Sequence, residues 1–239
     1  VSYQQERAQA RRAKIEALRE EDERQRARKR NVAFVLSAIA VFAVVVAAVL
    51  VITRTGGEQA TQGPQVVRPN SHRLQTAQDG KVTLVEFLDF ECEACGAAFP
   101  VIEQLRKQYT GKVTFVARYF PITSHFNAER AARAVEAAAG QGKFDAMYQR
   151  MYQTQKTWAE KQTPADKLFR EFAQQLGLDM TAWDKAYNSP QTLARINQDV
   201  ADGQKLGVEG TPTFFLNGQK LQPKSTDDIK AAIDAALAK

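Results

Sequence analysis

The longest apolar run, Val32 to Thr53 (VAFVLSAIAVFAVVVAAVLVIT), carries neither a charge nor a proline. As a helix rising about 1.5 Å per residue it spans a hydrocarbon core of roughly 30 Å, and buried helices seldom run so far without a polar face. A long charged segment precedes it and no small-x-small cleavage site follows, so residues 31–53 read as an uncleaved transmembrane signal anchor. Arg24, Arg26, Arg28, Lys29 and Arg30 crowd its N-terminal side, whereas Arg54 stands nearly alone on the other. The positive-inside bias makes residues 1–30 a basic cytoplasmic tail and everything after residue 54 exported.

Residues 54–66 are polar and glycine-containing, the composition of a flexible linker. Beyond them the pattern turns mixed. Lys81–Phe90 (KVTLVEFLDF) reads as a buried strand after the Asp79-Gly80 turn, because both alternate sets are apolar: Val82, Leu84 and Leu88 on one face, Val85 and Phe87 on the other. Ala94–Tyr109 reads as a helix closed by Thr110-Gly111, and Lys112–Phe120 as a second strand. Asn127 to Leu206 is helical, broken at Gly140, Gly142, Thr163-Pro164, Gly177 and Ser189-Pro190. Thr213–Leu216 is a third strand, returned through the hairpin dipeptide Asn217-Gly218 into Gln219–Gln222, and Asp227–Leu237 is a closing helix. The flanks of the helical block share one sheet, so residues of about 126–206 form an insertion inside a single α/β domain over 67–239. His72 falls in a loop before the first strand.

Charge changes this picture little. The chain is +6 overall, and residues 1–30 supply +4 of that from ten Lys/Arg against six Asp/Glu. The basic surplus therefore belongs to the tail, which is strongly helix-forming and placed to meet anionic headgroups of the bilayer. A nucleic-acid binder would concentrate basic residues on the folded surface, so no nucleic-acid partner is expected. A monomer is the expected state.

The chain has two cysteines, Cys92 and Cys95. A bridge closing so short a loop removes little unfolded-chain entropy, which argues for chemistry rather than stapling. Cys92 follows a buried strand and opens a helix, where backbone N–H groups and the positive helix end stabilise a thiolate. Cys95 lies one turn deeper on the same face, within disulfide reach. A nucleophile with a protected resolving thiol suits exchange through a mixed disulfide. Closed zinc needs four ligands; His72 and His125 are the only histidines and neither has ligand spacing, so no metal is expected. Glu86, in the middle of the apolar strand, either faces water from an edge strand or, as the two apolar faces favour, is desolvated and placed for proton transfer under the cysteine pair. In Gly210-Thr211-Pro212-Thr213-Phe214, Pro212 is either a strand-entry residue or the second half of a cis Thr211–Pro212 bond that aims backbone polar groups at Cys92 as a docking edge.

Together these motifs resemble the DsbA-like branch of the thioredoxin superfamily, specifically membrane-anchored enzymes of bacterial envelopes, over residues 65–239. Val-Glu-Phe six residues before the first cysteine puts Glu86 on the family's buried acid. Cys92-x-x-Cys95 matches the redox motif, Pro100 the helix-kinking proline, and Gly-Thr-Pro-Thr-Phe puts Pro212 on the cis-proline. His125-Phe126-Asn127-Ala128 opens the insertion that separates this branch from plain thioredoxin; His125 itself is expected to cap or pack. The resemblance implies a thioredoxin fold with an inserted helical subdomain, preceded by a transmembrane helix. It also implies thiol–disulfide exchange without a cofactor at Cys92, Cys95 and Glu86, with Thr211 and Pro212 holding substrate. Reduced exported proteins would be the substrates, and a membrane partner of the DsbB or vitamin-K-epoxide-reductase type the reoxidant.

Two departures stand out. The dipeptide between the cysteines is Glu93-Ala94 where strongly oxidising members have Pro-His. Ala94 cannot donate to the thiolate, and Glu91 and Glu93 add negative charge beside it, which predicts a weaker oxidant. Threonine before the proline resembles isomerase-type relatives, leaving an isomerase or reductase direction open. A third reading, a non-redox holding or assembly module, would need Trp158, Trp183, Phe144, Phe169 and Phe172 to form an apolar groove, although their helical spacing predicts core.

Overall fold

The structure, a computed structural model, describes residues 65–239, which belong to one compact unit. The basic tail, the apolar run and all but the last two residues of the linker lie outside the described residues. Among those described, no helix is long and apolar enough to cross a membrane.

The core is a five-stranded sheet of β1 (His72–Gln75), β2 (Thr83–Leu88), β3 (Thr114–Tyr119), β4 (Thr213–Leu216) and β5 (Gln219–Lys220), in the order β1-β3-β2-β4-β5. β2 runs parallel to β3 and antiparallel to β4, so it is the central strand that its two apolar faces predict. β1 pairs antiparallel with the outer side of β3. This corrects the loop expected around His72. The strand HRLQ holds a single apolar residue, too little alternation to register as a strand. Asn217 and Gly218 have φ of 49° and 83°, the left-handed pair that a two-residue hairpin demands, and β5 after them is two residues long rather than four.

The helices are α1 (Glu93–Gln108), α2 (Ala128–Ala139), α3 (Phe144–Thr154), α4 (Asp166–Gln175), α5 (Met180–Tyr187), α6 (Pro190–Lys205) and α7 (Thr226–Leu237). A 3₁₀ turn over Gln155–Thr157 follows α3. Each boundary has a local cause. Asp179 accepts from the Ala182 N–H to start α5, Ser189 precedes Pro190 at the first position of α6, and Ser225 with Asp228 forms a capping box on α7.

Period-2 alternation splits the apolar residues of β2 between two layers. Leu84 packs with Ile102 and Leu105 of α1 and Ile229 and Ile233 of α7. Val85 and Phe87 pack on the opposite face with Val116, Phe120, Val208 and Phe215. On that side α6 approaches closely. A Cβ on Gly203 would stand 2.8 Å from the Phe120 ring, so this helix position needs glycine. The insertion, α2 to α6, has its own core. Trp158, Trp183, Phe169 and Phe172 are buried in it and Phe144 packs against it, so these aromatics are packing rather than a groove.

Candidate active site

Alternation along β2 puts Glu86 on the same face as Leu84 and Leu88, the face covered by α1. Glu86 stands opposite Ala117 of β3 and Phe214 of β4 and is 5% exposed. Cys92 is the N-cap of α1, with extended backbone (φ −66°, ψ 123°), and its carbonyl accepts the Gly96 N–H at 3.0 Å. Cys92 is partly exposed while Cys95 is buried, and both are free thiols. Pro100 lies inside α1. The Thr211–Pro212 peptide is cis, and the Thr211 carbonyl accepts from Cys92 Sγ at 3.3 Å. Two separate stretches of chain therefore converge: Glu86 through Cys92 and Cys95, and Thr211 with Pro212.

The electrostatics separate the two thiols. The Cys95 thiol is the largest influence on Cys92. With Thr211 and the N–H groups of Cys95 and Ala94 it outweighs the opposing effect of burial, bringing Cys92 to about 5. The Thr211 hydroxyl is buried and has no hydrogen-bond partner among the described residues; the bond to Cys92 Sγ is made by the Thr211 carbonyl. Burial pushes Cys95 well above the ordinary thiol range, and Cys92 adds to this. Glu86 is raised to about 8, first by burial and then by the charges of Glu103 and Cys92. At neutral pH the site therefore holds a partly exposed thiolate, a buried thiol and a protonated carboxyl beneath them.

The pKa of Glu86 carries a stability prediction. Its ordinary value is 4.5 and its folded value about 8, so folding takes up a proton between them. The associated stability is full below about 4.5 and disappears as pH rises through about 8, at about 1.4 kcal/mol per unit. Urea unfolding of the reduced chain should show Glu86→Gln gaining steadily on the native protein from pH 5 to pH 8. Parallel stability curves would mean that Glu86 does not titrate in this window.

Three further residues shape the loop, two of them, Gln155 and Asp89, not singled out in the sequence and one, Glu91, placed differently than expected. Gln155, from the 3₁₀ turn of the insertion, donates its amide to the carbonyls of Phe90 and Cys92, each at 2.8 Å. Its Oε1 fills the space beside Gly96, where a Cβ would come within 2.0 Å of it. Gln155→Ala and Gly96→Ala should each destabilise by about 1–3 kcal/mol, since each releases the same two buried carbonyls. In the double variant the losses should fall well short of their sum; full additivity would refute the shared clamp. Glu91, expected beside Cys92, is instead buried and turned to the insertion. It accepts from the N–H groups of Asn127 (2.5 Å) and Glu160 (3.1 Å), and so caps the start of α2. Of the two acids flanking Cys92, only Glu93 is exposed.

Asp89 is the third. It is buried, and its carboxylate accepts from the N–H groups of Glu91 (2.8 Å) and Ile122 (3.0 Å), while Oδ2 lies 2.6 Å from His125 Nδ1. The His125 side chain is thus held by Asp89, while its carbonyl accepts the Ala128 N–H at 3.5 Å where α2 begins. His72 lies on the edge strand β1, opposite Ala117 of β3, and is bonded to Glu136 at 2.6 Å. Among the described residues no three His, Cys, Asp or Glu side chains converge as a metal-binding group.

A thioredoxin family model matches residues 71–235. Among curated proteins, the Na(+)/H(+) antiporter NhaA 3 of Salinispora tropica is 36% identical over 174 residues, covering 72% of this chain and 26% of the antiporter. The Na(+)/H(+) antiporter NhaA 1 of Salinispora arenicola is 33% identical over the same shares. The chain thus spans about a quarter of the length of these relatives. Among solved structures, a thioredoxin-like oxidoreductase from Silicibacter pomeroyi DSS-3 aligns with TM-score 0.61 and 27% identity over 75% of this chain and 99% of that one. Wolbachia pipientis alpha-DsbA1 aligns with TM-score 0.63 and 20% identity over 72% and 93%, a likeness of fold alone. The convergence of Cys92, Cys95, Glu86 and cis Pro212 and the match over residues 71–235 lead to one conclusion: the chain belongs to the thioredoxin family, and its fold is that of the DsbA-like thiol–disulfide oxidoreductases.

Proposed function

We propose that this protein forms disulfides in exported proteins by thiol–disulfide exchange at Cys92, from a domain tethered to the outer side of a membrane. The observation that carries the reading is the pairing of a Cys92 thiolate at the start of α1 with a buried Cys95 thiol, directly beside the cis Thr211–Pro212 bond. In the oxidised enzyme a substrate thiolate attacks Cys92 Sγ, and the Cys92–Cys95 bond breaks. Cys95 leaves and takes a proton, which Glu86 holds at neutral pH. The substrate's second thiolate then attacks the mixed disulfide and releases Cys92 as a thiolate. The substrate is oxidised and the enzyme carries two electrons, which a membrane partner of the DsbB or vitamin-K-epoxide-reductase type removes. The Gly210–Pro212 edge offers the incoming chain strand-like backbone pairing.

A Cys92 value near 5 falls between about 7 for thioredoxin and about 3.5 for DsbA, which supports an oxidant weaker than DsbA. The same intermediate value and the threonine at 211 support a second reading, an isomerase or reductase fed by an electron-donating membrane protein. The deciding measurement is oxidation of a reduced two-cysteine peptide by the full chain, alongside its reduction potential. A potential near that of thioredoxin would overturn the oxidase direction. A Cys92→Ser, Cys95→Ser chain that still complements a deletion strain would overturn exchange altogether, leaving an assembly module.

A further inference from the structure

The dipeptide Glu93-Ala94 gives the thiolate no cationic donor, yet a histidine stands nearby from another part of the chain. His125 lies between β3 and α2, its side chain 24% exposed, with Nδ1 fixed on Asp89 at 2.6 Å. Asp89 cannot swing, since two backbone N–H groups hold its carboxylate, and its own carbonyl accepts the Cys92 N–H at 3.3 Å. Histidine and cysteine are therefore both fixed to a single buried residue. Among the described residues, Nε2 of His125 bonds to no other protein group.

We propose that His125, oriented by Asp89, is a positioning residue that supplies the positive charge beside Cys92 which Glu93-Ala94 lacks, and so sets the oxidising power of the cysteine pair. This rests on the exchange reading above. Burial alone would lower the proton affinity of His125, but its bond to Asp89 raises it, and the Cys92 charge raises it further. Linkage is reciprocal: whatever the thiolate does for the imidazolium, the imidazolium does for the thiolate. The other charged groups around His125 are Asp89 and Glu91 from the β2–α1 turn, and Glu129, Arg130, Arg133 and Asp166, which line the same cavity of about 850 Å³. Arg130 pairs with Asp166 at 3.2 Å and Arg133 with Glu129 at 2.7 Å. Cys92 is thus the neighbour whose charge changes during the redox cycle.

The test titrates the ultraviolet absorbance of the Cys92 thiolate, and the equilibrium with glutathione, in the full chain and two variants. His125→Gln should raise the thiolate midpoint by about one pH unit. It should also make the enzyme about tenfold less oxidising, roughly 30 mV for two electrons. His125→Lys restores the charge and should keep the native midpoint. The native potential should also steepen with pH across the titration of His125, by about half a proton per two electrons for a one-unit coupling, over and above the contribution of Glu86, and both variants should lack this His125 part. A midpoint unchanged in His125→Gln, or moved equally in both variants, overturns the proposal. Should the native chain fail to exchange with glutathione, the exchange reading falls, while the thiolate titration still decides the role of His125.

Discussion

Cys92→Ser should lose peptide oxidation by at least about a thousandfold, whereas Cys95→Ser should lose turnover but still capture a disulfide at Cys92. The difference follows from the geometry. Cys92 is partly exposed at the helix start beside Thr211, while Cys95 has 0% exposure. Treating Cys95→Ser with glutathione disulfide should therefore give a stable mixed disulfide, because the resolving thiol is missing; Cys92→Ser should give none. Mass spectrometry of the two treated chains decides the matter, and glutathionylation of Cys95 in Cys92→Ser would refute the assignment of nucleophile.

The low pKa of Cys92 does not make it a faster nucleophile at neutral pH. Lowering a thiol from about 8.5 to about 5 raises its thiolate fraction at pH 7 by about thirtyfold, but intrinsic nucleophilicity falls by a similar factor. The gain is in departure. A thiolate stabilised by Cys95, Thr211 and two helix N–H groups leaves a mixed disulfide readily, which speeds release of oxidised substrate and favours the reduced enzyme. Under the proposed oxidase reading, this is the property that hands a disulfide on.

How far the sequence discloses this depends on whether the signal is local. The central strand, the cysteine helix and the Asn217-Gly218 hairpin each follow from alternation, spacing or turn chemistry within about ten residues. Glu86 is legible because an acid in a strand apolar on both faces has only one kind of environment available. What the sequence conceals is coupling at a distance. Gln155 lies sixty-three residues from the Cys92 carbonyl it holds, and no local pattern separates it from any solvent-facing glutamine at a helix end. Glu91 illustrates the converse error: its neighbour in sequence is Cys92, but its partners are Asn127 and Glu160. The β1 strand is hidden because its stability comes from pairing with β3, not from its own apolar content.

Arg118→Met should destabilise the domain by about 2–6 kcal/mol, a large share of the stability of a small domain. Arg118 lies on β3 with 0% exposure, and its guanidinium binds Asp199 at 2.6 Å, Asp202 at 2.7 Å, and the carbonyls of Gln65 and Val66 at 2.9 and 2.8 Å. The two aspartates lie on α6, so this one side chain joins the sheet, the insertion and the segment leading in from residue 65. Asp199 would keep Arg195 at 2.5 Å, and Asp202 would keep Arg68 at 2.5 Å, so neither becomes an isolated buried charge. The two carbonyls lose a buried donor, however, and a methionine cannot replace it. Acid should act on the same network. Burial alone would raise Asp202, but Arg68 and Arg118 hold it below its ordinary 3.8. The stability it contributes is present above that value and lost as pH falls through the depressed one, and Arg118→Met should flatten this acid limb. Urea unfolding at pH 7 and at pH 3 measures both effects. A loss under about 1 kcal/mol at pH 7 would show that Arg68 and Arg195 suffice without Arg118, and that the cross-connection between sheet and insertion rests on apolar packing against Phe120 and Gly203 instead.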